Sequence, residues 1–405
     1  MKVLLVHNSY QKPGGEDRVY QVERDLLRAH GNEVIEYCRS NLEIEEYSSL
    51  ERLMLVPRTL WSSQSRREVT QLLCRAKPDL VHVHNTFMVI SPSIYSACKE
   101  QRVPVVQTLH NYRMLCPGGN FVRDGRVCHD CSAHLAYGVL HGCYRGSRAG
   151  TAVVASMLAW HRVIGTYSRL VDRYIALSEF TRQNFVAAGF DPDKICVKPN
   201  CVYPDPGERT GDGAYALFVG RLETEKGVDT LLSAWRQMTQ RIPLRLAGAG
   251  CLSEKVKGAA LDMPQVEYLG QVPSNRLMDI IKGARFLVLP SLCYENFPMT
   301  VAEAYACGVP VLASELGAMK EIVEQDRTGL LFRPGDVDDL VAKVSFAWNN
   351  QEYLKRLGRQ AREEYETKYT SDLNYELLLK IYQSVLPKRS AAREPDEQTV
   401  RMREG

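Results

Sequence analysis

Short apolar runs alternate along this chain with longer segments in which apolar residues recur at helical spacing. Each run is four to eight residues long and ends at turn residues, which is typical of a buried strand in a parallel sheet. Strands that alternate with helices predict an α/β fold, in which ligands collect beyond the carboxyl ends of the strands. The main runs lie at residues 3–6, 79–84, 103–110, 172–177, 215–219, 244–247, 286–289 and 309–313.

The alternation stops once, at residues 199–213, which are dense in Pro, Gly and Asp. Because 405 residues exceed what one ordinary core holds, we expect two domains that meet here. The predicted division is an N-terminal domain at 1–200 and a C-terminal domain at 213–370. A crossover helix at 371–387 follows, and the charged tail at 388–405 is expected to be disordered.

Composition narrows the class of protein further. Hydrophobic residues make up 45% of the chain and charged residues 24%, as in a soluble globular protein. The net charge of +3 gives no reason to expect a nucleic-acid partner. The first residues resemble a strand rather than a signal peptide, and no apolar run reaches the length of a membrane span. We therefore expect a cytoplasmic protein.

Peripheral contact with a membrane stays open, because Lys and Arg outnumber Asp and Glu in residues 1–205. Residues 50–73 have helical periodicity and mix apolar and basic side chains. Such a helix could rest on a membrane interface. A core-packed helix with a solvated basic side is the favoured interpretation.

Four of the twelve cysteines form a symmetrical pattern. A Cys-x2-Cys pair, Cys128 and Cys131, is flanked at equal spacing by Cys116 and Cys143 in a glycine-rich segment, about residues 113–147. Four thiolates match the ligand set of a structural zinc, which leaves no open position for catalysis. Unmetallated thiols and an iron–sulfur cluster are the alternatives.

Three loops at predicted strand ends carry candidate binding residues. Gly14 and Gly15 follow the first strand, although no G-x-G-x-x-G sequence is present. His110 ends a strand, as does His84, whose role stays undecided. Arg221 and Lys226 lie in a strand-to-helix loop, where cations and helix N–H groups can converge on one anion.

The most informative stretch is residues 285–310, which predicts a buried strand, a polar loop and a helix. Glu295 lies in the loop and Glu303 in the helix, with seven residues between them. A helix that begins where a strand ends suits a phosphate, and carboxylates beside it would need another ligand, such as sugar hydroxyls. A solvated loop glutamate and a glutamate favoured by the helix dipole are the simpler alternative.

This stretch resembles the Glu-x7-Glu signature of retaining nucleotide-sugar glycosyltransferases with the GT-B architecture, family 4 (glycosyl transferases group 1). The resemblance covers about residues 1–386. It implies two Rossmann-like domains facing a cleft, with the C-terminal helix crossing back to the N-terminal domain.

The family also implies a role for each candidate residue. Gly14 and Gly15 would touch the donor diphosphate and the acceptor, and His110 would position the donor sugar. Arg221 and Lys226 would stabilise the leaving diphosphate, so no cofactor would be required for catalysis. Glu295 would hold sugar hydroxyls, with backbone N–H groups from Asn296 and Phe297, and Glu303 would bind the ribose.

The expected reaction transfers a sugar from a UDP- or GDP-type donor to a carbohydrate or lipid-linked acceptor, with retention, in envelope, exopolysaccharide or lipopolysaccharide synthesis. Two alternatives remain. One is another enzyme on this scaffold, such as an epimerase or a phosphorylase. The other is a non-catalytic nucleotide-sugar-binding or zinc-stabilised assembly protein.

Overall fold

The computed structural model describes residues 1–11 and 14–387, and it contains two six-stranded parallel sheets. The first sheet has the order β2-β1-β3-β4-β7-β8. Its strands are β1 (Lys2–Ser9), β2 (Glu33–Ser40), β3 (Leu80–Asn85), β4 (Val105–Leu109), β7 (Arg173–Ala176) and β8 (Ile195–Val197). The four central strands are buried along most of their length because helices cover both faces, which explains their continuous apolar runs, whereas the edge strands β2 and β8 are only partly buried.

The second sheet repeats this design with the order β11-β10-β9-β12-β13-β14. Its strands are β9 (Tyr215–Val219), β10 (Leu244–Ala247), β11 (Val266–Gly270), β12 (Ala284–Leu289), β13 (Val311–Ser314) and β14 (Gly329–Phe332). Residues 198–214, which connect the sheets, form neither helix nor strand. The α/β prediction is confirmed, whereas the exact domain limits stay a prediction.

Helices flank both sheets. Those of the first half are α1 (Gly15–Ala29), α2 (Glu43–Glu46), α3 (Ser49–Leu60), α4 (Ser63–Ala76), α5 (Ile94–Glu100), α6 (Asp130–Ala133), α7 (Ala136–His141), α8 (Arg148–Val163), α9 (Thr166–Arg169) and α10 (Glu179–Ala187). Those of the second half are α11 (Val228–Gln237), α12 (Ser253–Asp262), α13 (Ser274–Lys282), α14 (Met299–Ala306), α15 (Ala318–Ile322), α16 (Val337–Asn349), α17 (Gln351–Lys368) and α18 (Ser371–Val385).

The last helix returns to the first half of the chain. Leu378, Ile381 and Tyr382 of α18 pack in one apolar cluster with Val3 and Leu5 of β1. The predicted crossover is therefore confirmed, and α18 closes the N-terminal sheet from one side. The tail predicted to be disordered, residues 388–405, lies outside the described residues.

Residues 50–73 differ from the favoured interpretation. They belong to two helices, α3 and α4, with a break at Trp61 and Ser62. The expectation of a core-packed helix is wrong for α3, whose one buried side chain is Thr59. Periodicity identified an apolar face but not what covers it. Within residues 1–11 and 14–387, no helix combines the length and apolarity needed to cross a bilayer.

The cysteine-rich segment forms a small lobe between β4 and α8. It contains a two-stranded hairpin, β5 (Val122–Arg123) and β6 (Arg126–Val127), followed by α6 and α7. Phe121 and Cys116 from this lobe reach the apolar cluster of the first sheet.

Candidate active site

Lys226 and Glu295 form the centre of the candidate site. β9 and β12 are hydrogen-bonded neighbours, so the loops after their carboxyl ends lie side by side. Lys226 lies in the first loop and Glu295 in the second. The Lys226 Nζ atom is 2.6 Å and 2.8 Å from the two carboxylate oxygens of Glu295. Ser291 donates a further hydrogen bond of 2.7 Å to the same carboxylate.

Both charges of this pair are retained inside the protein. Burial acts to raise the pKa of Glu295, but the charge and hydrogen bond of Lys226, the hydrogen bond of Ser291 and the charge of Arg221 together lower it. Burial acts to lower the pKa of Lys226, but the charge and hydrogen bond of Glu295, together with the neighbouring Cys293, raise it. Arg221 adds a third charge beside the pair, and its side chain is 58% exposed. The site can therefore present two cations to an incoming anion.

Gly227 allows the Lys226 loop to approach β12. Its φ is +71°, and a Cβ atom there would lie 1.8 Å from the carbonyl oxygen of Pro290. Only glycine fits this close approach. Gly227 thereby keeps the side chain of Lys226 close to the loop of Glu295.

The Glu295 loop also reaches the first half of the chain. Asn296 is buried, and its Nδ2 atom donates a hydrogen bond of 3.0 Å to the carbonyl oxygen of Leu109, the residue before His110. Phe297 is buried in an apolar cluster with Tyr369. Among described residues, the backbone N–H groups of Asn296 and Phe297 have no hydrogen-bond acceptor. Within the described chain, these N–H groups are therefore free to donate to a sugar, and their use in this way stays a prediction.

Glu303 has a partner that the sequence did not indicate. Its buried carboxylate is 2.5 Å from the guanidinium of Arg18, on α1 of the first half. Burial raises the pKa of Glu303, and the charge of Arg18 opposes this. Arg18 therefore lies beside the carboxylate that the family resemblance assigns to the nucleotide ribose.

Gly14 and Gly15 begin α1 on the same side as Arg18. Among described atoms, a Cβ on Gly15 would meet nothing within 4 Å, so protein packing does not demand a glycine there. This space fits the predicted approach of a ligand to the backbone. The next residue, Glu16, was missed by sequence reasoning. Asn85 and Asn111 donate hydrogen bonds of 2.9 Å and 3.2 Å to its carboxylate.

Glu16 is chemically distinctive because burial, and then the charge of Asp17, raise its pKa to about 8. It lies close to His110, since its partner Asn111 is the next residue in the chain. His110 bonds through Nε2 to His84 at 3.0 Å, and burial holds its pKa well below the usual value. Burial therefore favours the neutral form of His110.

The four predicted zinc ligands lie in one lobe, apart from this centre. Cys116 and Cys131 are buried neighbours, and the hydrogen bond between their thiols lowers the pKa of Cys116 and raises that of Cys131. The pKa of Cys143 is raised by burial and by its neighbours Cys116 and Cys128. In the described chain, however, no three of these sulfur atoms lie within 4.8 Å of one another. The zinc site stays a prediction.

Comparison with known proteins defines the class. The model of glycosyltransferase family 4 matches residues 14–205, and that of glycosyl transferases group 1 matches residues 204–364. A D-inositol 3-phosphate glycosyltransferase of Gordonia bronchialis is 31% identical over 58% of this chain and 57% of its own. O-antigen chain mannosyltransferase C of Escherichia coli is 28% identical over 45% of this chain and 50% of its own. The chain thus spans about half the length of the curated relatives it matches.

Solved structures agree on the architecture. The Anabaena protein HepE in complex with UDP superposes with a TM-score of 0.67 at 18% identity, over 95% of this chain and all of that one. Sucrose-phosphate synthase from Thermosynechococcus elongatus gives a TM-score of 0.69 at 17% identity, over 95% and 98%. The fold is that of a two-Rossmann protein with a cleft between its halves. The chain belongs to the GT-B glycosyltransferases of family 4, as its Glu-x7-Glu stretch predicted.

Proposed function

We propose that this protein transfers a sugar from a UDP- or GDP-type donor to an acceptor hydroxyl with retention of anomeric configuration. The observation that carries the proposal is the Lys226–Glu295 pair. The ammonium of Lys226 would contact the diphosphate, and the carboxylate of Glu295 would accept hydrogen bonds from sugar hydroxyls. The loop of Glu295 is hydrogen-bonded to Leu109, next to His110 of the other half, which supports this arrangement. Two cations and a carboxylate at the carboxyl ends of adjacent strands fit a sugar diphosphate.

In the proposed reaction, the bond from the anomeric carbon to the diphosphate oxygen breaks, and a bond to the acceptor oxygen forms on the same face. Arg221 and Lys226 stabilise the negative charge that develops on the leaving diphosphate. The leaving phosphate takes the acceptor proton, so no side chain is needed as general base. Since two side-chain cations neutralise the diphosphate, the step has no requirement for a divalent ion.

The names of relatives support the donor and acceptor classes. HepE has been crystallised with UDP and with UDP-glucose, which favours a nucleotide sugar as donor. An O-antigen mannosyltransferase and a lipopolysaccharide outer core galactosyltransferase are among the similar proteins. We propose a carbohydrate or lipid-linked acceptor from envelope, exopolysaccharide or lipopolysaccharide synthesis, and action at the cytoplasmic membrane face.

A thermal-shift screen against UDP-, GDP-, ADP- and dTDP-sugars tests the donor site, because ligands that bind the native state raise its melting temperature. We expect one nucleotide class to stabilise the wild type and to lose that effect in Lys226→Ala. Arg221→Ala is the second variant, since its exposed side chain can be removed without a folding cost. Lys257→Ala, on the outer helix α12, is the matched control.

The two alternatives predict other results. An epimerase would form product from the donor without an acceptor, and a phosphorylase would require inorganic phosphate. A non-catalytic binding protein would bind a nucleotide sugar without turnover, and Glu295→Ala would leave its cellular role unchanged. The absence of a shift with all four nucleotide classes, in folded protein, would contradict the proposed donor site.

We propose that α3 provides the contact with a membrane surface. Its apolar side chains point into solvent: Leu50 and Leu53 are 70% and 69% exposed, and Met54 and Val56 are also exposed. Arg52 and Arg58 lie on the same short helix. Apolar side chains flanked by arginines match a surface of anionic lipid.

The neighbouring helix α8 extends this surface, because it packs against α3 and exposes Trp160 and Val163. Flotation with vesicles that contain an anionic lipid tests the proposal. We expect Leu53→Ser to reduce binding severalfold, while Leu261→Ser, at a comparably exposed leucine on α12, leaves binding unchanged. Equal binding of the two variants would contradict a role for α3.

A further inference from the structure

A chain of buried polar side chains runs inward from His110. His84, at the end of β3, is buried, and its Nδ1 atom is 3.0 Å from His110 Nε2. On the other side of the ring, His84 Nε2 is 3.5 Å from the Oε2 atom of Glu23, a buried residue of α1. Glu23, His84 and His110 therefore form one continuous row, which we name the histidine row.

The inner contact of the histidine row joins two atoms that otherwise lack partners. Glu23 Oε2 and His84 Nε2 are both buried, and neither makes a hydrogen bond to any described residue; at 3.5 Å they are in electrostatic contact with each other without a hydrogen bond. A carboxylate can only accept, and a neutral imidazole has one donor and one acceptor nitrogen. The electrostatically favoured arrangement places the proton of His84 on Nε2, facing the negative charge of Glu23, because the other tautomer would direct a lone pair at the carboxylate.

This assignment determines the tautomer of His110. With its proton on Nε2, His84 presents a lone pair on Nδ1 and can only accept there. His110 must then donate from Nε2, which leaves its own Nδ1 with a lone pair. In the described part of the chain, Nδ1 of His110 has no hydrogen-bond partner and is not sealed from solvent.

Surrounding groups hold Glu23 in the orientation that the histidine row needs. Lys198, fully buried, lies 2.6 Å from Glu23 Oε1 and is also 3.1 Å from Asn374 Oδ1 of α18. Oε1 is therefore occupied and Oε2 turns to the histidines. His82 lies nearby, but both of its ring nitrogens are bonded at 2.7 Å, to the Tyr382 and Thr108 hydroxyls.

The same groups could be taken for a metal site, since ligand atoms of Glu23, His82 and His84 lie within 4.8 Å of one another. The ammonium of Lys198 already supplies a buried positive charge at this carboxylate. A second cation beside it would be repelled in a medium that screens poorly. The histidine row accounts for the cluster without a metal.

We propose that Glu23 and His84 are positioning residues that fix the tautomer of His110, so that its Nδ1 atom accepts a hydrogen bond from a hydroxyl of the donor sugar. The inference rests on the proposed glycosyl transfer for the identity of the hydroxyl. The tautomer itself does not depend on any ligand. Orientation of a neutral histidine through its second nitrogen is a general device of histidine sites.

The test is the ring-nitrogen NMR spectrum of protein labelled at histidine, with His110 assigned by its loss in His110→Asn. In wild type we expect a protonated Nε2 and an unprotonated Nδ1. In Glu23→Gln, the amide oxygen stays with Lys198 and the amide N–H faces His84. His84 should then accept at Nε2 and donate from Nδ1 to His110, so that His110 carries its own proton on Nδ1.

Two results would overturn the proposal: a proton on Nδ1 in wild type, or an unchanged tautomer in folded Glu23→Gln. If that variant does not fold, His84→Phe serves, because His110 then loses its partner and should show both tautomers. A single Nε2–H tautomer in His84→Phe would count equally against the row. Glu364→Gln, which removes another buried carboxylate, paired with Arg327, is the control.

A kinetic measurement connects the row to transfer. With an active donor, Glu23→Gln should lower kcat about tenfold, the size expected for one misdirected hydrogen bond. Removing the contacted hydroxyl from the donor should lower kcat less in Glu23→Gln than in wild type, because the variant has already lost that hydrogen bond. Equal losses would refute the contact with the sugar. If no donor is active, the proposed function fails, whereas the spectra still decide the row.

Discussion

Glu16 provides the sharpest test of how burial in the cleft changes the pKa of a carboxyl group. Its carboxyl group accepts hydrogen bonds from Asn85 and Asn111, yet burial and the neighbouring Asp17 raise its pKa to about 8 from an ordinary value of 4.5. At ~1.4 kcal/mol per pH unit, that interval corresponds to at most about 5 kcal/mol of unfolding free energy. Glu16→Gln removes the ionisation and keeps the shape.

The sign follows from the order of the two pKa values. Below pH 4.5 the carboxyl is protonated in both folded and unfolded chains, so ionisation contributes nothing. Between pH 4.5 and about pH 8, Glu16 has lost its proton in the unfolded chain but retains it in the folded chain. Rising pH therefore destabilises the wild type but not Glu16→Gln, and above that window the difference is constant.

Urea unfolding of both proteins from about pH 5 to about pH 9 measures this difference. We expect the free energy of unfolding of Glu16→Gln, relative to wild type, to rise by up to about 5 kcal/mol across the range. Glu46→Gln, at an exposed glutamate of α2, is the matched control. A difference between Glu16→Gln and wild type that is the same at both ends of the range would refute the raised pKa.

Three further predictions address the site and its supports. Glu295→Gln should free Lys226, so that nucleoside diphosphate binds more tightly by isothermal calorimetry while sugar transfer falls; weaker binding would contradict this. Gly227→Ala should lower the free energy of unfolding by about 3 kcal/mol or more, because its Cβ would strike Pro290, whereas Gly258→Ala on α12 should be neutral or stabilising. Elemental analysis should find about one zinc per chain, lost in Cys128→Ser; metal-free wild type of unchanged melting temperature would argue for free thiols.

The fold was predictable because the central strands carry their own signal, whereas the edge strands β2 and β8 are only partly buried and were not predicted. The apolar runs of β1, β9 and β12 are buried on both faces, so the sequence of each run reports its environment directly. That the Lys226 loop and the Glu295 loop lie at the ligand-binding edge of one sheet followed from the same logic, whereas their ion pair was not predicted, because it depends on β9 and β12 being neighbours. Local pattern and known topology together were sufficient for the placement of these loops.

The contacts between the two halves were not predictable in this way. Arg18 pairs with Glu303 because α1 and α14 face each other, and no local pattern encodes how two sheets are oriented. The pKa of Glu16 likewise depends on Asn85 and Asn111, which come from two other loops. For α3, helical spacing revealed an apolar face, but only the arrangement of α8 and α4 shows that this face is uncovered.

These contacts resolve the apparent conflict of two glutamates beside a diphosphate site. Each carboxylate has its own cation: Lys226 for Glu295, from the same half, and Arg18 for Glu303, from the other. Since a buried carboxylate without a partner is costly, Glu303 favours the arrangement in which Arg18 of α1 reaches α14. The second glutamate of the signature therefore also holds the two halves together, and a nucleotide that engages it must share or displace Arg18. We expect donor binding and the approach of the two halves to be coupled at this one carboxylate, which the family resemblance assigns to the nucleotide.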